Sequence, residues 1–180
     1  MRPKGTARIL RIVLSCLLST VFVGLVPIEA KNVGQPFDAV IRVENPESQI
    51  NSDSYTVKAG SEVFITVHLT NVSKHNLAFD YDSDSRTGVS FSHQYEVRDS
   101  NGNVVQKRTI SHPEIGSTGH GWPARVLKPG ESMDINGDYI SRLYDLSQPG
   151  EYTIQLSREV SADPKDGVVK SNTITVTVTR

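Results

Sequence analysis

The sequence predicts an all-β protein, an antiparallel two-sheet sandwich of about 7–9 strands behind an N-terminal export signal. Three observations carry this. Apolar and polar residues alternate with period two through most of the chain beyond residue 37. Turn-forming pairs punctuate the alternating runs. Almost no stretch repeats its apolar residues at helical spacing.

The first element is the signal. Arg2, Lys4, Arg8 and Arg11 precede an apolar run from Ile12 to Val26, which stops at Pro27 and gives way to Ile28-Glu29-Ala30. A basic head, an apolar middle and a small terminal residue predict cleavage after Ala30, with the membrane engaged only in transit. About fifteen apolar residues is short for a retained span. Val13-Leu14-Ser15-Cys16 has the outline of a lipidation site, but apolar residues continue past Cys16, where a lipidated terminus is polar. The division is thus residues 1–30 as signal peptide, 31–37 as a flexible lead and 38–180 as one sandwich domain, in the periplasm or outside the cell.

Cleavage removes Cys16, the single cysteine, so the mature chain has no disulfide or thiolate chemistry and is held by core burial alone. It also removes four basic residues and Glu29, leaving fifteen Lys and Arg against nineteen Asp and Glu, a net charge of -4. That balance provides no basic footprint for nucleic acid.

The strands follow in order. Asp38 to Val43 opens the sandwich, and Glu62 to Thr70 puts Val63, Ile65, Val67 and Leu69 on one face with Phe64, Thr66, His68 and Thr70 on the other. Leu77 to Tyr81, Val89 to Arg98, Val104 to Thr109, Ser132 to Gly137, Glu151 to Arg158 and Val168 to Thr179 complete the set. Their β-branched and aromatic residues suit a half-buried pleated surface. Lys58-Ala59-Gly60, Asn101-Gly102, Pro129-Gly130 and Pro149-Gly150 supply the turns. The last strand, with threonine on every second position from Thr173 to Thr179, reads as core on one face and water on the other; as an edge strand it would offer a free row of backbone groups to a partner.

Gln148-Pro149-Gly150-Glu151-Tyr152 is a turn followed at once by a strand-opening tyrosine, the pattern of a tyrosine corner. Its phenol bonds back to the backbone a few residues upstream, which gives Tyr152, Pro149 and Gly150 structural roles.

Glu62 to Asn71, Tyr95-Glu96-Val97-Arg98-Asp99, Leu127-Lys128-Pro129-Gly130-Glu131-Ser132, and Leu143 to Ser147 with Gly150 to Ile154 resemble the immunoglobulin-like domain that precedes the catalytic domain of bacterial aspzincin (deuterolysin-type) metalloproteases. More loosely, they are similar to the BsuPI-type proteinase inhibitors. The resemblance covers roughly residues 60 to 157 and implies an immunoglobulin-like sandwich. Protease activity is not carried over, because the His-Glu-x-x-His spacing that sets two imidazoles on one helix face is missing.

No other residue pattern in the chain matches a known catalytic or metal-binding arrangement. His68, His75, His93, His112 and His120 include no pair at ligand spacing, so no metal or cofactor is predicted. Asp80, Asp82 and Asp84 begin like a calcium loop, but Ser85 and Phe91 stand where its glycine and glutamate belong; an acidic turn is expected. Gly116-Ser117-Thr118-Gly119 lacks a nucleophile elbow, and Asp134 with Asp138 are carboxylates at alternate strand positions without an aromatic groove. Asn71-Val72-Ser73 matches a glycosylation sequon at a strand end. The sequence therefore predicts no enzyme.

The loop from Ser111 to Arg125 is long, rich in glycine and holds the single tryptophan, so His112, His120, Trp122 and Arg125 are the candidate binding residues, with Trp122 packing down on the core as the competing role. These features point to an exported interaction module for an envelope or extracellular protein. A BsuPI-like protease inhibitor and a carbohydrate-binding module are the alternatives.

Overall fold

The computed structural model describes residues 35–79, 93–109, 125–159 and 168–180. Ten strands and one helical turn lie among them: β1 (Phe37–Glu44), β2 (Ser48–Asn51), β3 (Ser54–Lys58), β4 (Phe64–Asn71), β5 (Leu77–Phe79), β6 (His93–Arg98), β7 (Arg125–Leu127), β8 (Ser132–Tyr139), α1 (Ile140–Leu143), β9 (Gly150–Glu159) and β10 (Val168–Thr179). The expected signal peptide, Asp80, Asp82, Asp84, His112, His120 and Trp122 lie outside the described residues.

The layers follow from the alternation. One sheet runs β8–β4–β1, antiparallel throughout, with Ile41 opposite Val67 and Val67 opposite Ile135 on its inner face. The other runs β6–β9–β10–β3–β2, and its inner face carries Val97, Ile154, Ile174, Val176 and Val57. The two inner faces form a single apolar core in which Ile41, Ile65, Val67, Leu69, Ile154 and Ile174 have no measurable exposure. This is the immunoglobulin-like sandwich that the strand spacing implies, with β5 and β7 as a small separate pair.

β10 departs from the expectation. It is internal, with β9 along one edge and, on the other, first β1 and then β3, both in parallel. The edge-strand reading of Val168 to Thr179 is therefore corrected: its backbone groups are already engaged on both sides. The change of partner falls at a bulge between Lys170 and Thr173, where Asn172 replaces the missing ladder. Its Oδ1 accepts the Ile41 amide at 2.8 Å, and its Nδ2 donates to Asp53 Oδ1 at 2.6 Å. One amide side chain thus pins both neighbours at the point where one replaces the other.

Val104 to Thr109 is also corrected: it makes only isolated bridges, Arg98 with Val104 and Lys107 with Tyr144. The segment stays beside β6 only at Val104 and Val105 and then crosses towards α1, where the Arg108 amide donates to the Leu143 carbonyl at 2.7 Å. The strands β2, β3 and β7 were not anticipated. β7 has only three residues and β2 is exposed throughout, while β3 alternates over five residues with Tyr55 and Val57 inward.

Tyr152 has the geometry of a tyrosine corner. Its ring is buried at the start of β9, and Oη donates to the Gln148 carbonyl at 2.9 Å. Pro149 and Gly150 form the intervening turn, Gly150 at a φ of 155° that side-chain-bearing residues rarely adopt. Tyr152→Phe keeps the ring and removes the bond; a loss of about 1 kcal/mol in urea-induced unfolding is expected, and an unchanged midpoint would exclude this role for the hydroxyl.

Gly137 imposes a stricter condition. Between Ile65 and Val67 of β4, β8 advances three residues, from Asp138 to Ile135, where β4 advances two, so β8 carries an extra residue. The bulge presses Gly137 against β4: a Cβ there would lie 1.6 Å from the Ile65 carbonyl oxygen. Gly137→Ala must open the β4–β8 pairing and is expected to cost about 3 kcal/mol or more. Gly102→Ala, at an exposed turn with φ of 80° and open space around it, should cost about 1 kcal/mol. Equal losses for the two variants would refute the close approach.

Candidate functional site

The bulge sets up the main polar feature of the interior. Strict alternation puts Asp138 on the same face as Asp134, as the sequence reading assumed. The extra residue reverses the phase, so Asp134 faces outward while Asp138 turns into the core with no exposure. Alternation also turns His93 and Tyr95 of β6, and Arg158 of β9, inward; His93 and Arg158 are direct neighbours across the β6–β9 pair.

These four side chains form one network. Tyr95 Oη donates to Asp138 Oδ2 at 2.7 Å, and His93 Nδ1 lies 2.5 Å from the same oxygen. Arg158 Nη1 lies 2.7 Å from His93 Nε2. A guanidinium can only donate, so Nε2 accepts, the ring proton sits on Nδ1, and Nδ1–H donates to the carboxylate. The imidazole is thus neutral, held between a carboxylate from one sheet and a guanidinium from the other. Burial, and next the negative charge of Asp138, push the Tyr95 phenol well above its ordinary 10.0.

A His–Asp pair with a tyrosine and an arginine has the makings of acid–base chemistry, but here both imidazole nitrogens already face protein partners and His93 is 3% exposed. No lone pair on the ring remains for a substrate. What the arrangement does is fasten β8 of one sheet to β6 and β9 of the other.

The exposed side of the β8–β4–β1 sheet differs. His68 and Asp134 meet there, Nδ1 to Oδ1 at 2.8 Å, flanked by Val40, Arg42 and Thr66 in a shallow groove. Phe64 and Tyr139 pack at 4.7 Å between ring centroids at one end, and the Arg142 guanidinium lies 3.9 Å above the Tyr139 ring. Arg42 forms no ion pair among the described residues.

Of the binding residues expected from sequence, Arg125 is described: it is exposed on β7, opposite Phe79. Nothing in the described residues brings it to the network or the groove. No group of three His, Cys, Asp or Glu is placed to hold a metal among the described residues. The sequon is closed to modification in the folded state. Asn71 is fully buried, its Nδ2 donates to the carbonyls of His75 and Leu127 at 2.8 Å each, and its Oδ1 accepts from the Ser73 amide and hydroxyl.

His93, Tyr95 and Arg158 were detectable from sequence, since each falls in phase with neighbouring core residues. Asp138 was not, because nothing local announces the bulge.

No protein-family model matches the sequence, and no curated protein matches it. Among solved structures, the chain is similar to the solution NMR structure of the CARDB domain of a Pyrococcus furiosus protein. The identity is 16% and the TM-score 0.27, over 80% of this chain and 96% of that one. A superposition this loose carries no argument; the fold rests on the strand pairings and the corner tyrosine. These findings give no support to the aspzincin or BsuPI families in particular.

The buried phenols make stability depend on alkaline pH. Tyr95, Tyr144 and Tyr152 are all raised, burial being the first cause in each. A raised phenol keeps its proton in the folded state while the unfolded chain ionises, so its contribution is complete below pH 10 and is lost as pH climbs from there towards the folded value. Each such group steepens the decline by up to about 1.4 kcal/mol per pH unit. Unfolding free energies measured from pH 8 to 11 (about neutral to strongly alkaline on this scale) should fall above 10, and fall less steeply in Tyr95→Phe. Parallel curves for the two proteins would contradict the burial of this phenol.

Proposed function

We propose that the chain is an exported, non-enzymatic interaction module that holds an envelope or extracellular protein on the outer face of its β8–β4–β1 sheet. The observation that carries this is the stack of Phe64, Tyr139 and Arg142 beside the groove with Arg42 and His68. Aromatic rings and arginines dominate interface energetics, because they combine large apolar area with donors fixed in direction. Here Phe64, Tyr139, His68 and Arg42 sit on paired strands backed by the core, and Arg142 on the helical turn that follows β8, so little order is lost on binding. Phe64 and Tyr139 are half-buried, while Arg42 is exposed, which favours a partner with an acidic group beside an apolar one.

The reading is supported further by the interior, where the side chains best suited to chemistry are spent on one another. Export follows from the basic and apolar N-terminal segment and is checked by N-terminal sequencing of protein recovered outside the cytoplasm, which should begin at Lys31.

The test is a crosslinking capture from envelope and secreted fractions, run in parallel with the natural protein and with Phe64→Ala/Arg42→Glu. One protein should be enriched by the former and recovered about tenfold less by the latter, the loss of roughly one hot-spot residue. Equal recovery by both would remove this face as the binding surface.

A further inference from the structure

At one end of the sandwich, between the β3–β4 turn and the segment after α1, lies a cleft of about 250 Å³. Its floor includes Val63, Leu146 and Val178, all buried, and its rim includes Lys58, Arg108 and Arg142. It shares no lining residue with the outer-face groove, and only Arg142 also belongs to the ring stack beside that groove.

The balance of donors and acceptors defines what fits. Arg108 gives one donor to Asp145 Oδ1 at 3.0 Å and a long one to the Ser141 carbonyl at 3.5 Å. Arg142 directs Nε and Nη2 to the same oxygen, Glu62 Oε1. A guanidinium carries five N–H donors, so each arginine keeps several, and the Lys58 ammonium, 3.6 Å from Glu47, keeps others. Ser61 and Ser147 add hydroxyls. Against these, the lining offers one carboxylate, Glu62, with one oxygen already bonded twice.

The site is rich in donors yet close to neutral, since each rim cation has its own carboxylate: Lys58 with Glu47, Arg108 with Asp145 and Arg142 with Glu62. A doubly charged phosphate finds no surplus positive charge there, whereas a singly charged acceptor meets unused donors. The pairs also hold both guanidiniums in place before any ligand arrives, which lowers the entropic cost of binding. The apolar floor directly beneath calls for an aliphatic group joined to that acceptor. The cleft is at or below the small end of ligand pockets, which span roughly 300–1,000 Å³, so only a small group enters.

We propose that this cleft binds a monocarboxylate carried on a short aliphatic group, with Arg108, Arg142 and Lys58 receiving the carboxylate and Val63, Leu146 and Val178 the aliphatic part. Two sources present that chemistry: a free branched-chain acid, and the C-terminus of a polypeptide ending in an aliphatic residue.

The experiment is a titration of the isotope-labelled full chain, as its host produces it, followed by amide NMR. The probes are 4-methylpentanoate, N-acetylleucine and N-acetylleucinamide. Saturable shifts are expected at Gly60, Ser61 and Ser147 with either acid, and about tenfold weaker binding of the uncharged amide, the equivalent of one charge-assisted hydrogen bond. Tighter binding of 4-methylpentanoate identifies a free acid as the source, and tighter binding of N-acetylleucine a chain terminus. Arg108→Gln should abolish the preference for acid over amide. If that variant loses its fold, Lys58→Gln, whose side chain is 68% exposed, should weaken the preference without doing so. Absence of saturable shifts, equal affinity for acid and amide, or a preference unchanged in the folded variants would overturn the proposal. None of these results depends on capture of a protein by the outer face of the β8–β4–β1 sheet.

Discussion

The Asp138 carboxylate, withdrawn from water and reached by Tyr95 and His93, is the constraint around which the sandwich is arranged. A buried carboxylate costs several kcal/mol in lost hydration, and partners on other strands offset that cost only in one alignment. The requirement therefore fixes relative position more than it adds stability. A shift of β8 by one residue would turn Asp138 to solvent and leave His93 and Arg158 facing an apolar gap. Gly137 belongs to the same constraint, since the bulge that inverts Asp138 brings the β8 backbone so close to Ile65 that no side chain fits.

The network also explains how the two layers stay matched. Apolar faces tolerate sliding, because burial depends on area and hardly on direction, whereas hydrogen bonds do not. Tyr144 adds a second directed link, its hydroxyl donating to the Tyr95 carbonyl at 2.6 Å, so β6 is held by both its side chains and its backbone. Three residues along β10 from the position opposite Arg158, Asn172 does comparable work, covering the backbone groups exposed where β10 passes from β1 to β3. At the β10 bulge a side chain of the bulge itself engages a distant strand, and at the β8 bulge the carboxylate turned inward is met by side chains of β6.

With the interior polar groups engaged in this way, the rings and cations left without interior partners are those at the surface. The outer face of β8–β4–β1 presents rings and cations on rigid strands, and the cleft between β3 and α1 presents arginines steadied by carboxylates over an apolar floor. Both sit on elements whose inner sides are core, so their geometry is fixed by packing.

Local sequence determined the strands whose alternation is long and regular: β1, β4, β9 and β10 are legible because each side chain reports its face through period two. It also determined the corner at Tyr152, since the turn, the tyrosine and its acceptor lie within five residues. Tertiary structure alone decided the rest. The parallel neighbours of β10 are more than a hundred residues away in sequence, so no local pattern encodes them. The inward turn of Asp138 depends on one extra residue opposite β4, which changes the phase of every position after it. His93, Tyr95 and Arg158 fall in phase with core positions of their strands, but the sequence reading gave them no role. Which carboxylate met them depended on register, a property of the paired strands and not of either strand by itself.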